Sequence, residues 1–209
     1  MANQTRTEAP ETVILGIDPG TNVLGYGVIR GSGRNKMQLE VLGVMELSKY
    51  RDHYVRLREI YKRVLQLVEQ YLPDEVAIEA PFFGKNVQSM LKLGRAQGVA
   101  IAAVMARDVP IFEYAPRKIK LAITGNGAAS KEQVASMLRS ILGENDFNQK
   151  HLDATDGLAA AVCHFYQRSL PGGGAGNKPK VPTSGKRKAS SWEEFVRSNP
   201  DRVRKSFLP

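Results

Sequence analysis

Residues 13–30, V-I-L-G-I-D-P-G-T-N-V-L-G-Y-G-V-I-R, constrain this chain more than any other stretch. Two apolar runs flank a Pro19-Gly20 turn, so the pattern reads as a β-hairpin of two buried strands. One carboxylate, Asp18, sits inside it. A buried carboxylate is costly unless it is paired or binds a cation. Groups elsewhere in the chain must therefore share a site with Asp18 if it is to stay charged there.

The order of elements follows from periodicity. Residues 38–47 give a third strand, which completes an antiparallel meander. Residues 54–72 carry apolar side chains at helical spacing (Leu57, Ile60, Tyr61, Val64, Leu67, Val68, Tyr71), and their other face is basic. Residues 75–79, E-V-A-I-E, form a short buried strand, parallel to the first if the helix is a crossover. A long helix rich in small residues follows at 89–106, then a fifth strand at 110–114. Pro116 opens a basic segment, R-K-I-K. Ser130 caps a helix running to Leu142, with Glu132 and Gln133 in its first turn. Residues 153–168 form the last core helix. The sum is an α/β domain at 13–168, with a mixed five-stranded sheet (first three strands antiparallel) and helices on both faces.

The ends read differently. Residues 1–12 are polar and expected to be disordered. Residues 169–209 combine a Gly/Pro/Lys-rich flexible linker with a short capped module, S-W-E-E-F-V. The net charge is +9, and residues 168–209 hold ten Lys/Arg against three Asp/Glu, or +7 of it. A basic balance fits a polyanionic partner such as nucleic acid, although basic tails also serve solubility alone. The tail could add phosphate contacts, or dock on a protein through Trp192, Phe195 and Val196. The single cysteine excludes an internal disulfide framework, and no apolar run approaches a membrane span. A cytoplasmic protein is expected.

Four acids lie in apolar or small-residue contexts: Asp18, Glu79, Asp153 and Asp156. The last two are three apart at a helix start and share one face. Adjacent strands one and four would bring Asp18 and Glu79 to one place. Four ionised carboxylates cannot converge without cations. Two Mg²⁺ ions, with Mn²⁺ as a substitute, would resolve the repulsion and supply the two-metal device of phosphodiester cleavage. Each acid also has a local reading, as turn residue, helix cap or first-turn acid. Spacing alone leaves both open.

Larger segments narrow the choice. G-I-D-P-G-T-N-V-L-G-Y-G-V-I (16–29), V-A-I-E-A-P-F-F-G-K-N-V-Q-S-M-L-K-L-G-R-A-Q-G-V-A (76–100), F-E-Y-A-P-R-K-I-K (112–120), G-N-G-A-A-S-K (125–131) and D-A-T-D-G-L-A-A-A (153–161) resemble, in order and spacing, the motifs of the RuvC family of bacterial Holliday junction resolvases. The resemblance runs from about residue 13 to 165. It implies an RNase H-like fold, and a homodimer that grips four-way junction DNA and nicks two opposing strands symmetrically, in recombination and repair. The ends left would be ligatable 5′-phosphate and 3′-hydroxyl. It implies that Asp18, Glu79, Asp153 and Asp156 hold the metals and that Phe82 contacts bases near the crossover. Lys120 and Lys131 fall on positions linked to DNA contact, Lys131 also to catalysis. Lys85, Arg117 and Lys118 are further candidate phosphate contacts. The helix at 89–106 resembles the family's dimer-forming helix, and the RuvA–RuvB branch-migration complex is an implied partner. His151 is a weak candidate for approaching the metals; His53 and His164 read as structural or exposed. The tail departs from the family's pattern.

Two other classes remain in view. An actin-like ATPase also carries D-x-G-T in a strand-turn-strand, but needs a second such loop and a longer chain. A non-catalytic junction binder would gain nothing from four acids facing DNA. Another RNase H-like nuclease is the nearer alternative.

Overall fold

The computed structural model describes residues 11–33, 36–81, 86–143 and 152–168. Phe82, Lys85, His151, the segment 1–10 and the tail from residue 169 lie outside the described residues.

Five strands form one mixed sheet: β1 (Thr12–Pro19), β2 (Val23–Ser32), β3 (Lys36–Glu46), β4 (Glu75–Glu79) and β5 (Ile111–Tyr114), in the order β3-β2-β1-β4-β5. The first three pair antiparallel, and β1–β4 and β4–β5 pair parallel. The expected mixed sheet is found. Thr12, expected in the disordered end, is already the first residue of β1.

Helix α1 (His53–Tyr71) is the β3-to-β4 crossover, and α2 (Val87–Met105) connects β4 to β5. Both lie on one face of the sheet, over Leu15, Ile17, Leu24, Tyr26, Val28, Val76 and Ile78. Helices α3 (Pro116–Thr124), α4 (Lys131–Leu142) and α5 (Leu152–Arg168) cover the other face, over Ile14, Ile29 and Ala77. Alternation along each strand explains the split, because neighbouring side chains point to opposite faces. None of the described helices is long and apolar enough to cross a membrane.

Helix α3 departs from expectation, since residues 116–120 read only as a basic segment. Pro116 stands at its first positions, where its missing N–H costs nothing, and Gly125 ends it at φ +74°. Only Ile119 and Ile123 are buried, one turn apart, a stripe too short to register as a period.

Helix α5 sits unusually close to the sheet. Gly16, Gly25, Gly27 and Gly31 all face it. A Cβ at Gly16 would overlap the Gly157 carbonyl oxygen, and one at Gly25 the Asp153 carbonyl oxygen. On the helix side, a Cβ at Gly157 would come within 2.6 Å of the Gly25 carbonyl oxygen and the Tyr26 Cα. Backbone therefore rests on backbone along this seam.

At the far end of α5, His164 is buried. Its Nδ1 lies 2.7 Å from the Tyr114 hydroxyl and its Nε2 2.9 Å from Glu75, while the Phe112 ring stacks on it at 4.2 Å. Arg168 Nε lies 3.0 Å from the same carboxylate. Of the two expectations for His164, structural or exposed, these bonds fit the first.

Candidate active site

The cleft forms where β1 and β4 end. Ile17 is level with Ile78 across the parallel pair, so Asp18 and Glu79 are each one residue further along. Ile17 and Ile78 point toward α1 and α2, and alternation turns both carboxylates toward α5. The glycine seam brings the first turn of α5 down onto the same end of the sheet. Asp18, Glu79, Asp153 and Asp156 all line one open cleft of about 560 Å³, together with Lys120 and Lys131. The β1–β2 turn (Gly20, Thr21, Asn22) forms another wall.

The acids are electrostatically coupled. Burial pushes the Asp18 carboxyl up to about 6, reinforced by Asp156 and Asp153 and opposed by Lys131. Burial, then the charges of Asp18 and Asp156, push Glu79 up to about 8. Burial also raises Asp156, against a hydrogen bond from Lys131. These are the shifts expected when like charges share a poorly solvated place.

Lys131 is the counterweight. Its ammonium lies 3.1 Å from Asp153 and 2.5 Å from Asp156. Partial burial works against the charged form, but the bonds and charges of Asp156 and Asp153 outweigh it and hold Lys131 above its usual range. Its backbone position is set by a capping box, in which Ser130 and Gln133 satisfy each other's backbone N–H groups. A cation at a helix N-terminus opposes the helix dipole; the α5 carboxylates offset that.

The remaining candidates separate. Lys120 reaches the cleft, where its charge weakly opposes the upward shifts of Glu79 and Asp156. Lys118 and Arg117 do not line it: Lys118 Nζ lies over the Tyr114 ring at 5.0 Å, and the Arg117 side chain packs beside Gly127. Among the cleft residues that were not anticipated are Leu93 and Gln97 on α2. Gln97 is buried and donates to Glu113 at 2.7 Å. It lies within the resembling segment, but no charge or spacing marks it there.

Could this donor set hold divalent cations? Oxygen-only carboxylate ligands suit Mg²⁺ and Mn²⁺, and a cation beside Asp18 and Glu79 would oppose the burial that raises their pKa values. Among the described residues, no three His, Cys, Asp or Glu side chains are drawn together tightly enough, as they stand, to enclose one ion. The acids ring the cleft rather than meeting at a point, and Lys131 bridges two of them. The residues fit a cation in kind, with side-chain adjustment needed to close on one.

Comparison with known proteins decides the family. The family model for crossover junction endodeoxyribonuclease RuvC matches residues 14–164. The chain belongs to the RuvC family. It is 55% identical over 195 residues to RuvC of Porphyromonas gingivalis, covering 93% of this chain and 98% of that one. RuvC of Bacteroides fragilis is 56% identical over 196 residues, covering 93% and 97%. Among solved structures, Thermus thermophilus RuvC in complex with Holliday junction substrate matches with a TM-score of 0.70 at 34% identity, over 76% of this chain and 95% of that one. The yeast mitochondrial Holliday junction resolvase matches at TM-score 0.58 and 13% identity, a likeness of fold alone, over 77% and 80% of the chains. The RuvC match spans all ten elements of the described residues, apart from the last residues of α5 and the first two of β1.

Proposed function

We propose that this chain is a junction-resolving endonuclease that hydrolyses phosphodiester bonds in four-way DNA junctions, nicking two opposing strands symmetrically. The supporting observation is the meeting of four carboxylates and two lysines on one cleft in a chain of the RuvC family. In this reading Asp18, Glu79, Asp153 and Asp156 hold two Mg²⁺ ions, for which Mn²⁺ can substitute. When bound, such ions lower the pKa of water and stabilise the leaving oxygen of an in-line displacement.

The chain's own groups do the rest. Asp18 and Glu79, at strand ends, supply carboxylates whose ionised forms bound cations would favour. Asp153 and Asp156 supply the opposite wall from α5. Lys131 can exchange its carboxylate partners for a phosphate oxygen and offset charge that develops in the transition state. Lys120 faces the same cleft and suits phosphate contact, whereas Arg117 and Lys118, outside it, suit the flanking DNA. Phe82 keeps the crossover role that the resemblance implies, and Lys85 remains a candidate phosphate contact.

Symmetric nicking requires two sites. The solvent face of α2 supports a homodimer: Val87 and Leu91 are exposed, and Cβ atoms added at Gly94 and Gly98 would meet open space. Interior glycines weaken a lone helix, but permit close approach of a second one. Docking to RuvA–RuvB and a bacterial cytoplasmic, nucleoid-associated location are proposed from the family resemblance and the DNA substrate.

The test is cleavage of a synthetic four-way junction in Mg²⁺, beside linear duplex and an RNA–DNA hybrid. Paired nicks confined to the junction, lost in Asp18→Asn while junction binding persists, support the reading. Cleavage of the hybrid, or none of the junction, overturns it.

A further inference from the structure

The turn between β1 and β2 carries Gly20, Thr21 and Asn22 along the cleft, immediately after Asp18. Turns of this kind are soft unless something holds them. Here the holding group comes from the opposite face of the sheet. Arg56, in the first turn of α1, reaches the end of the β1–β2 hairpin. Its Nη1 donates to the Thr21 carbonyl at 3.0 Å and to the Asn22 side-chain oxygen at 2.8 Å. Its Nε donates to the Tyr50 carbonyl at 2.7 Å.

The Asn22 carbonyl is used as well, accepting from the backbone of Leu47 at 2.8 Å and Ser48 at 3.1 Å. The turn is thus held by four bonds, two from the Arg56 guanidinium and two from the β3–α1 connection, and the Tyr50 bond anchors the guanidinium to that connection in turn. The inner side of the turn is tight too: Gly20 N–H donates to the Asp18 carbonyl at 3.1 Å, and a Cβ on Gly20 would overlap the Val23 carbonyl oxygen. Movement of Thr21 or Asn22 therefore passes directly to Asp18.

We propose that Arg56 is a positioning residue for the active site. It clamps the β1–β2 turn so that Asp18 and the cleft wall keep the geometry that cation and substrate require. The guanidinium fork suits the task, because Nε and Nη1 address the two loops from one rigid plane; a lysine supplies the charge without the fork. The proposal rests on the metal-site reading of Asp18 and adds a residue that touches none of the reacting atoms.

The experiment uses the full chain and the synthetic junction, titrated with Mg²⁺, in wild type, Arg56→Lys, Arg56→Ala, Asn22→Ala and the Arg56→Ala/Asn22→Ala double variant. Melting temperature and junction affinity without metal are measured alongside. The expected result for Arg56→Ala is a rise of about tenfold in the Mg²⁺ needed for half-maximal cleavage, with kcat reduced and metal-free junction affinity within about twofold of wild type. Arg56→Lys should recover only part of the loss. The double variant should be little worse than Arg56→Ala alone, as expected for partners in one interaction. If Arg56→Ala lowers the melting temperature but leaves the Mg²⁺ response and kcat of the folded protein unchanged, Arg56 is structural only and the proposal fails. If wild type does not cleave the junction, or Asp18→Asn cleaves normally, the underlying site reading fails instead.

Discussion

The two faces of the sheet solve opposite problems. Toward α1 and α2, large aliphatic side chains fill the space: Leu15, Ile17, Ile60, Leu67 and Ile78 are all fully or nearly fully buried. Toward α5, at the cleft end, glycines remove the side chains and let helix backbone settle on strand backbone. The first face gains free energy from apolar burial, which tolerates modest repacking. The second gains placement, with the turn of α5 that bears Asp153 and Asp156 held over Asp18 and Glu79. Both faces are anchored by buried apolar side chains; the cleft end of the second adds the close backbone seam that places the acids.

Substitutions should separate these roles, and the carboxylates give the largest effect. Asp18→Asn or Glu79→Gln should lower junction cleavage by on the order of 10³-fold or more, read under single-turnover conditions, with the fold retained by circular dichroism. Next, Leu67→Ala on the apolar face should cost about 2–5 kcal/mol in denaturant unfolding while leaving the activity of the folded fraction near wild type. Gly25→Ala should cost about 1–3 kcal/mol yet also remove most of the activity of the folded fraction, because the added methyl lifts the α5 terminus. Equal activity losses in these two variants would break the contrast between the faces.

A smaller effect depends on pH. The folded-state pKa values of Asp18 and Glu79 are raised, so their stabilising contribution is complete below the unfolded value near 4. It is lost as pH rises through about 6 and about 8. Metal-free protein should therefore lose about 1–2 kcal/mol between pH 7 and pH 9 through Glu79, after allowance for solvent screening. Glu79→Gln should flatten that loss, and millimolar Mg²⁺ should reverse it. The smallest change is Gly98→Ala on the open face of α2. It should stabilise the isolated chain by about 0.5–1 kcal/mol and weaken self-association measured by sedimentation. Unaltered association would exclude that face as the dimer contact.

What was legible in the chain follows the same division. Alternation in V-I-L-G-I-D and V-A-I-E-A, with a helix between, was enough to expect adjacent parallel strands with Asp18 and Glu79 together. The three-residue spacing of Asp153 and Asp156 put both on one face. The glycine seam was not read, because G-x-G in a strand looks like a weakness until the helix above it is known. Helix α3 was missed for want of apolar positions. The Lys131 bridge to Asp153 and Asp156 spans 22 and 25 residues, beyond any local pattern. Arg56 lay on a helix face that reads as solvated charge, and only the folded chain reveals its reach to Thr21 and Asn22.

The seam also limits which ions the cleft could accommodate. Ca²⁺–oxygen distances run a few tenths of an ångström longer than those of Mg²⁺. A helix resting backbone to backbone on a sheet cannot move inward to follow a smaller ion. The adjustment has to come from side-chain rotation. Asp153, with a side chain 55% exposed against 17% for Asp156, has most freedom to make it. Discrimination by ionic radius would then rest most on the exposed Asp153 carboxylate, and shortening or lengthening that single side chain is where a change of metal preference should be sought.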